Sequence, residues 1–184
     1  MLLSQLPNAL TLARLLAAPF LGWLLWTRQY QAALIVVLLA GITDWLDGFA
    51  ARRFGVMGKL GVLLDPLADK TLLVTLFLAL AAVHLIASWL LLLVIGRDLI
   101  IVAGSLLLRI FRNIRKFTPS ILGKVSTFFQ IVLVLLVLTN AAFHSRMLRW
   151  LELTAISLAT VFTALSGIDY IRRGVGMARR PPVP

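Results

Sequence analysis

Apolar positions along the chain gather into six long runs, at residues 7–27, 30–53, 59–84, 87–111, 119–142 and 147–172, separated by short polar or basic breaks. Each run is close to the ~20 residues that a helix needs to cross a bilayer. None contains the ten-residue in/out alternation of a barrel strand, and in hydrocarbon only a helix or a closed barrel satisfies the backbone. The pattern therefore predicts an all-α polytopic membrane protein with six transmembrane helices. No low-complexity linker interrupts it, so residues 1–184 read as a single membrane domain with a basic, flexible tail from about residue 173.

Composition agrees, with 61% hydrophobic residues and a mean hydropathy of +1.00. The first run has no basic stretch before it and carries Arg14 and Pro19 inside it. It is expected to remain as a helix and not to be cleaved as a signal peptide. There is no cysteine, which excludes disulfides, thiolate ligands and a cysteine nucleophile.

Charge sets an orientation. With both termini cytoplasmic, the inner segments carry Arg52, Arg53, Lys59, Arg109, Arg112, Arg115, Lys116, Arg172, Arg173, Arg179 and Arg180, whereas the outer turns carry only Arg28, Arg146 and Arg149. The positive-inside rule favours this N-in, C-in arrangement. The net charge of +11 is then mostly a cytoplasmic collar that attracts anionic headgroups of the lipid bilayer. The basic residues follow helix ends and show no nucleic-acid-binding motif, so no nucleic-acid partner is expected. Trp23, Trp26, Trp89 and Trp150 fall near the opposite surface as belt anchors, with His84 and His144 at the outer helix ends.

Against this background the acidic residues stand out. Four of the seven in the chain, Asp44, Asp47, Asp65 and Asp69, cluster where the second run ends and the third begins. An ionised carboxylate at membrane depth is costly without a compensating cation. Asp44 and Asp47 are three positions apart, Asp65 and Asp69 four, so each pair shares one face of its helix. Two antiparallel helices joined by a short turn would aim all four at one point. Oxygen-only ligation of that kind suits magnesium or manganese. Gly48 and Gly61 beside the carboxylates leave room for close approach of a substrate.

The full pattern, D-x-x-D-G-x-x-A-R-x8-G-x-x-x-D-x-x-x-D from Asp44 to Asp69, resembles the signature of the CDP-alcohol phosphatidyltransferase family, with every specified position filled. The resemblance extends to P-N-x-L-T-x-x-R at Pro7 to Arg14 and D-P-L-A-D-K at Asp65 to Lys70. It implies transfer of a phosphatidyl group from CDP-diacylglycerol to an alcohol with release of CMP, assisted by two divalent metal ions, Mg2+ or Mn2+, bound at the aspartates. It would make Asp44, Asp47 and Asp65 metal ligands and Asp69 the general base, also touching the second metal. Gly48, Ala51, Arg52 and Gly61 would accommodate the CDP-lipid. It also implies a homodimer and an active site facing the cytoplasm, in a bacterial inner membrane.

Among acceptors, Gly96-Arg97-Asp98 with Arg109, followed by Pro119-Ser120-Ile-Leu-Gly123-Lys124, resembles the cardiolipin synthase branch. Phosphatidylglycerophosphate synthases usually carry Arg-Glu there, with an arginine eight positions on, where this chain has Leu106. A phosphate-bearing acceptor needs cations, and Arg97, Arg109 and Lys124 are the candidates. Phosphatidylglycerol is therefore the expected acceptor, with glycerol 3-phosphate as the alternative. A small cation transporter is the alternative of another class. Clustering of the aspartates at one loop, with no visible inverted repeat, speaks against it.

Overall fold

A computed structural model describes the backbone of residues 6–54, 61–112 and 120–178, and the side chains of residues 16–43, 70–107 and 120–177. Among these residues there are six helices: α1 (Leu6–Trp26), α2 (Tyr30–Phe54), α3 (Gly61–Ala82), α4 (Ser88–Arg112), α5 (Ile121–Phe143) and α6 (Arg146–Ala178). Each matches one expected run to within a few residues, except that α6 continues six residues past its expected end. Arg172 and Arg173 thus belong to a helix and not to a flexible tail. Asp169 and Arg173 pair at 2.9 Å one turn apart, and basic residues near a helix C-terminus complement its dipole.

Three tight turns end α1, α3 and α5, each with a non-glycine residue in the left-handed region: Arg28 (φ 59°), His84 (φ 59°) and His144 (φ 51°). After α1 the amides of Arg28 and Gln29 return to the carbonyls of Leu25 and Leu24, and after α3 those of His84 and Leu85 return to Ala81 and Leu80. These are Schellman closures, which satisfy carbonyls that the helix end would otherwise leave open. After α5 the His144 amide donates to the carbonyl of Asn140 at 2.8 Å. Histidine is among the residues that tolerate this conformation best, which gives both histidines a local capping role.

The chain forms two compact units. One holds residues 1–86 and 137–145, the other residues 87–136 and 146–184, so α5 contributes to both. In the first unit α1 packs against α2 and α3. Its described core is hydrocarbon: Leu21 and Leu25 of α1, Ala33 of α2, Phe77 and Leu80 of α3, and Leu138 of α5 are all fully buried. Pro19 lies inside α1 without ending it, as membrane helices allow. In the second unit α4 packs against α6. Leu90, Val94, Leu133, Val134 and Ala159 are buried there together with Arg97, Asp98, Ser120, Ser126, Gln130, Glu152, Thr163 and Ser166.

Ser88–Leu107, Ile121–Phe143 and Arg146–Met177 are long and apolar enough to cross a membrane. Leu16–Trp26, Tyr30–Thr43 and Lys70–Ala82 are shorter apolar stretches within the residues whose side chains are described. Large apolar side chains cover the outside of these helices, among them Leu92, Ile121, Phe128, Met147 and Val161. Trp23, Trp26, Trp89 and Trp150 are also exposed and sit near helix ends, where amphipathic rings anchor at an interface.

Candidate active site

The aspartate motif occupies two consecutive helix ends. Asp44, Asp47, Gly48, Ala51 and Arg52 lie on the last three turns of α2; Gly61 opens α3, and Asp65 and Asp69 follow one and two turns later. At ~100° per residue, Asp44 and Asp47 are separated by ~60° around the α2 axis and Asp65 and Asp69 by ~40° around α3, so both pairs keep the register the sequence predicts. The side chains of these motif residues lie outside the described residues. So do those of Arg14 and of Arg109, which is on the last turn of α4. Among the described residues no three acidic or histidine side chains converge to hold a metal.

The two remaining candidates are in the second unit, where the structure gives them opposite characters. Lys124, in the first turn of α5, is exposed. Arg97, in the middle of α4, is only 9% exposed and is committed to protein partners. Its Nη1 donates to Asp98 Oδ1 at 2.8 Å, its Nη2 to the Gly123 carbonyl at 3.2 Å, and both Nε and Nη2 to Ser166 Oγ at 3.1 Å. The guanidinium carbon also lies 5.6 Å from the centre of the Tyr170 ring, within cation–π range. A buried cation is tolerable only when paired and hydrogen-bonded in this way. Arg97 therefore ties α4 to α5 and α6.

The far end of that tie is the N-terminus of α5. Ser120 is its cap: Ser120 Oγ accepts the Gly123 amide at 2.9 Å, and the Ser120 amide donates to the Tyr170 hydroxyl at 3.1 Å. A serine at this position satisfies one of the amides that a helix start leaves open. Gly123 is fitted closely, since a Cβ there would lie 2.9 Å from the Tyr170 hydroxyl and 3.0 Å from Arg97 Nη2. One turn further in, Ser126 Oγ and Thr163 Oγ1 are 3.0 Å apart, and Gln130 Nε2 donates to both at 3.3 and 3.0 Å. Phe129 stacks on Phe162 at 4.9 Å beside them.

Tyr170, Ser166, Thr163 and the cap role of Ser120 escaped the sequence reading. Their spacing held a signal. Positions 120, 123, 126, 127 and 130 fall on one stripe of α5, and 163, 166, 167 and 170 on one stripe of α6.

Comparison with known proteins decides the class: residues 4–165 match the CDP-alcohol phosphatidyltransferase family. The chain belongs to that family. The match runs through both compact units and includes every position of the aspartate motif. The chain is 33% identical to the CDP-diacylglycerol–glycerol-3-phosphate 3-phosphatidyltransferase of Aquifex aeolicus, over 94% of its own length and 97% of that protein. It is also 33% identical to the CMP-forming cardiolipin synthase of Rattus norvegicus, over 92% of its length and 61% of the rat protein. With a chloroplastic 3-phosphatidyltransferase of Oryza sativa the identity is 32%, over 85% of the chain and 55% of the rice protein. The chain thus spans little more than half of the rice and rat proteins and nearly all of the bacterial one. Family membership makes this apolar, helical chain a membrane-bound transferase of phospholipid synthesis, and resolves the choice between enzyme and cation transporter in favour of the enzyme.

Proposed function

We propose that the protein transfers the phosphatidyl group of CDP-diacylglycerol to a hydroxyl of phosphatidylglycerol, forming cardiolipin and CMP. The observation that carries the transfer chemistry is the complete eight-position motif on the adjoining ends of α2 and α3. Four carboxylates with no sulfur or imidazole among them form a donor set that fits hard divalent cations such as Mg2+ or Mn2+. Asp44, Asp47 and Asp65 would hold the two ions, with Asp69 touching the second. The ions, when bound, neutralise the diphosphate and stabilise the departing CMP.

The protein's own groups do the rest. Asp69 takes the proton of the acceptor hydroxyl as its oxygen bonds to the phosphatidyl phosphorus, while the bond from that phosphorus to the CMP oxygen breaks. Gly48 and Gly61 admit the diphosphate close to the backbone, and Ala51 and Arg52 receive the cytidine end. The acyl chains remain among the apolar helices or in lipid, with the head group at the cytoplasmic face of a bacterial inner membrane, as the distribution of basic residues supports. A homodimer is part of the same proposal.

The choice of phosphatidylglycerol is supported by the segments that resemble cardiolipin synthases. Arg97-Asp98 and the Ser120–Lys124 turn are joined in one buried network, which leaves Lys124 exposed to meet a phosphate. Arg109 is the second cation proposed for the acceptor, and the contacts of Arg97 support a role in holding the turn. A specific observation favours the other acceptor, glycerol 3-phosphate: the Aquifex relative, matched over 97% of its length, bears that name. Purified protein supplied with CDP-diacylglycerol and Mg2+ or Mn2+ should release CMP on addition of phosphatidylglycerol. Product with glycerol 3-phosphate alone would reverse the acceptor assignment, and no CMP with any alcohol would refute the reaction.

A further inference from the structure

Buried polar groups from three helices converge on a single turn. Tyr170, 6% exposed on α6, accepts the Ser120 amide with its hydroxyl, and its ring lies beside the Arg97 guanidinium. Ser166, also on α6 and fully buried, accepts hydrogen bonds from the Nε and Nη2 of that guanidinium at 3.1 Å. Arg97 in turn grips the Gly123 carbonyl. The backbone amide of the next residue, Lys124, bonds to the Ser120 carbonyl at 3.1 Å, so the clamped turn fixes the root of an exposed lysine. Ordinary packing could be supplied by apolar side chains at much lower desolvation cost, particularly in a membrane helix. Here an ion pair, a phenol and two hydroxyls are spent on one turn of α5.

We infer that Tyr170 and Ser166 are positioning residues for the acceptor: they hold the first turn of α5 so that Lys124 presents its ammonium to the acceptor's phosphate. Lysine is a point charge on a long, flexible stem, and fixing its Cα restricts where that charge can go. The inference rests on the reaction proposed above, with Lys124 on the acceptor side. It does not depend on which phosphate-bearing alcohol is used. Neither Tyr170 nor Ser166 touches the reacting atoms in this scheme, and Asp69 retains the proton transfer.

The test uses the full-length protein in detergent–lipid micelles, with whichever of phosphatidylglycerol or glycerol 3-phosphate the wild type turns over. Tyr170→Phe keeps the ring and removes the hydroxyl. It should raise the acceptor KM about 3- to 10-fold, the effect of one hydrogen bond, with kcat within about twofold and the CDP-diacylglycerol KM unchanged. Ser166→Ala should act in the same direction. In a Lys124→Ala background, Tyr170→Phe should raise the acceptor KM no further, because the two act through one route. Gly123→Ala should be impaired and Tyr170→Phe should partly rescue it, since the hydroxyl is the nearest obstacle to the new methyl group.

Three results would overturn the inference: equal increases in both KM values, a full additional effect in the Lys124→Ala background, or a lowered melting temperature with the acceptor KM unchanged. A wrong acceptor assignment would already show in the wild type. A wrong positioning role would show only in the variants.

Discussion

The two compact units solve the burial problem in opposite ways. The described core of the first is hydrocarbon, Leu21, Leu25, Phe77 and Leu80 packing across α1 and α3, and the unit carries its carboxylates at the ends of α2 and α3. The second draws polar and charged groups into its interior: every buried polar or charged side chain among the described residues, from Arg97 to Ser166, belongs to it. Apolar packing suffices to hold helices in register where the proposed chemistry falls to carboxylates at their ends. A hydrogen-bonded interior fixes one turn of one helix more sharply, because each donor accepts few geometries. In the proposed reaction the first unit would supply the chemistry and the second the positioning.

The contrast is broken most directly by removing the proposed base. Asp69→Asn should lower kcat by about 10²- to 10⁴-fold, the usual contribution of a positioned acid–base group, with CDP-diacylglycerol still bound. Asp44→Asn and Asp65→Asn should in addition raise the Mg2+ or Mn2+ concentration needed for half-maximal activity. Retention of near-normal turnover by the Asp69 variant would remove it as the base.

The next largest effect belongs to the second unit and falls on stability. Arg97→Ala removes the guanidinium that pairs with buried Asp98 at 2.8 Å and bonds Ser166 and Gly123, and should lower stability by up to roughly 3–5 kcal/mol, the cost of breaking a buried pair. Arg97→Lys should not restore stability, because an ammonium cannot reproduce the fork that reaches Asp98, Ser166 and Gly123 together. Thermal unfolding in detergent, read by near-UV circular dichroism, would show both. Thr163→Ala, which removes a shared partner of Ser126 and Gln130, should cost about 0.6–2 kcal/mol, as interhelical hydrogen bonds in membrane proteins do. Smallest of all, Arg173→Ala should cost only about 0.3–0.5 kcal/mol by loss of its bond to Asp169 one turn away on α6.

Much of the fold could be read from the chain because hydrocarbon is an unforgiving solvent. The six apolar runs correspond to the six helices among the described residues, the first five with ends within a few residues, and the turns at Arg28, His84 and His144 fall where the runs break. The sixth helix outran its apolar pattern, since Asp169, Arg172 and Arg173 read as an interface but also support a helix C-terminus. The aspartate motif was legible because charge in an apolar chain is conspicuous. The Ser120–Gly123–Arg97–Ser166–Tyr170 network was not: four of its five members are neutral, and their meaning lies in contacts 26 to 69 residues apart that no local pattern reports. Arg97 shows the limit plainly. Its charge made it a candidate for the acceptor's phosphate, and only the structure shows it buried and donating to Asp98, Gly123 and Ser166.

The central claim is transfer of an intact phosphatidyl group to phosphatidylglycerol, and following the label tests it most directly. CDP-diacylglycerol labelled at the phosphatidyl phosphorus should be converted, with unlabelled phosphatidylglycerol and Mg2+ or Mn2+, into labelled cardiolipin with one CMP released per molecule formed. The Asp69→Asn protein should form both about 10²- to 10⁴-fold more slowly. Label appearing only in the product of glycerol 3-phosphate, or released without any lipid product, would contradict it.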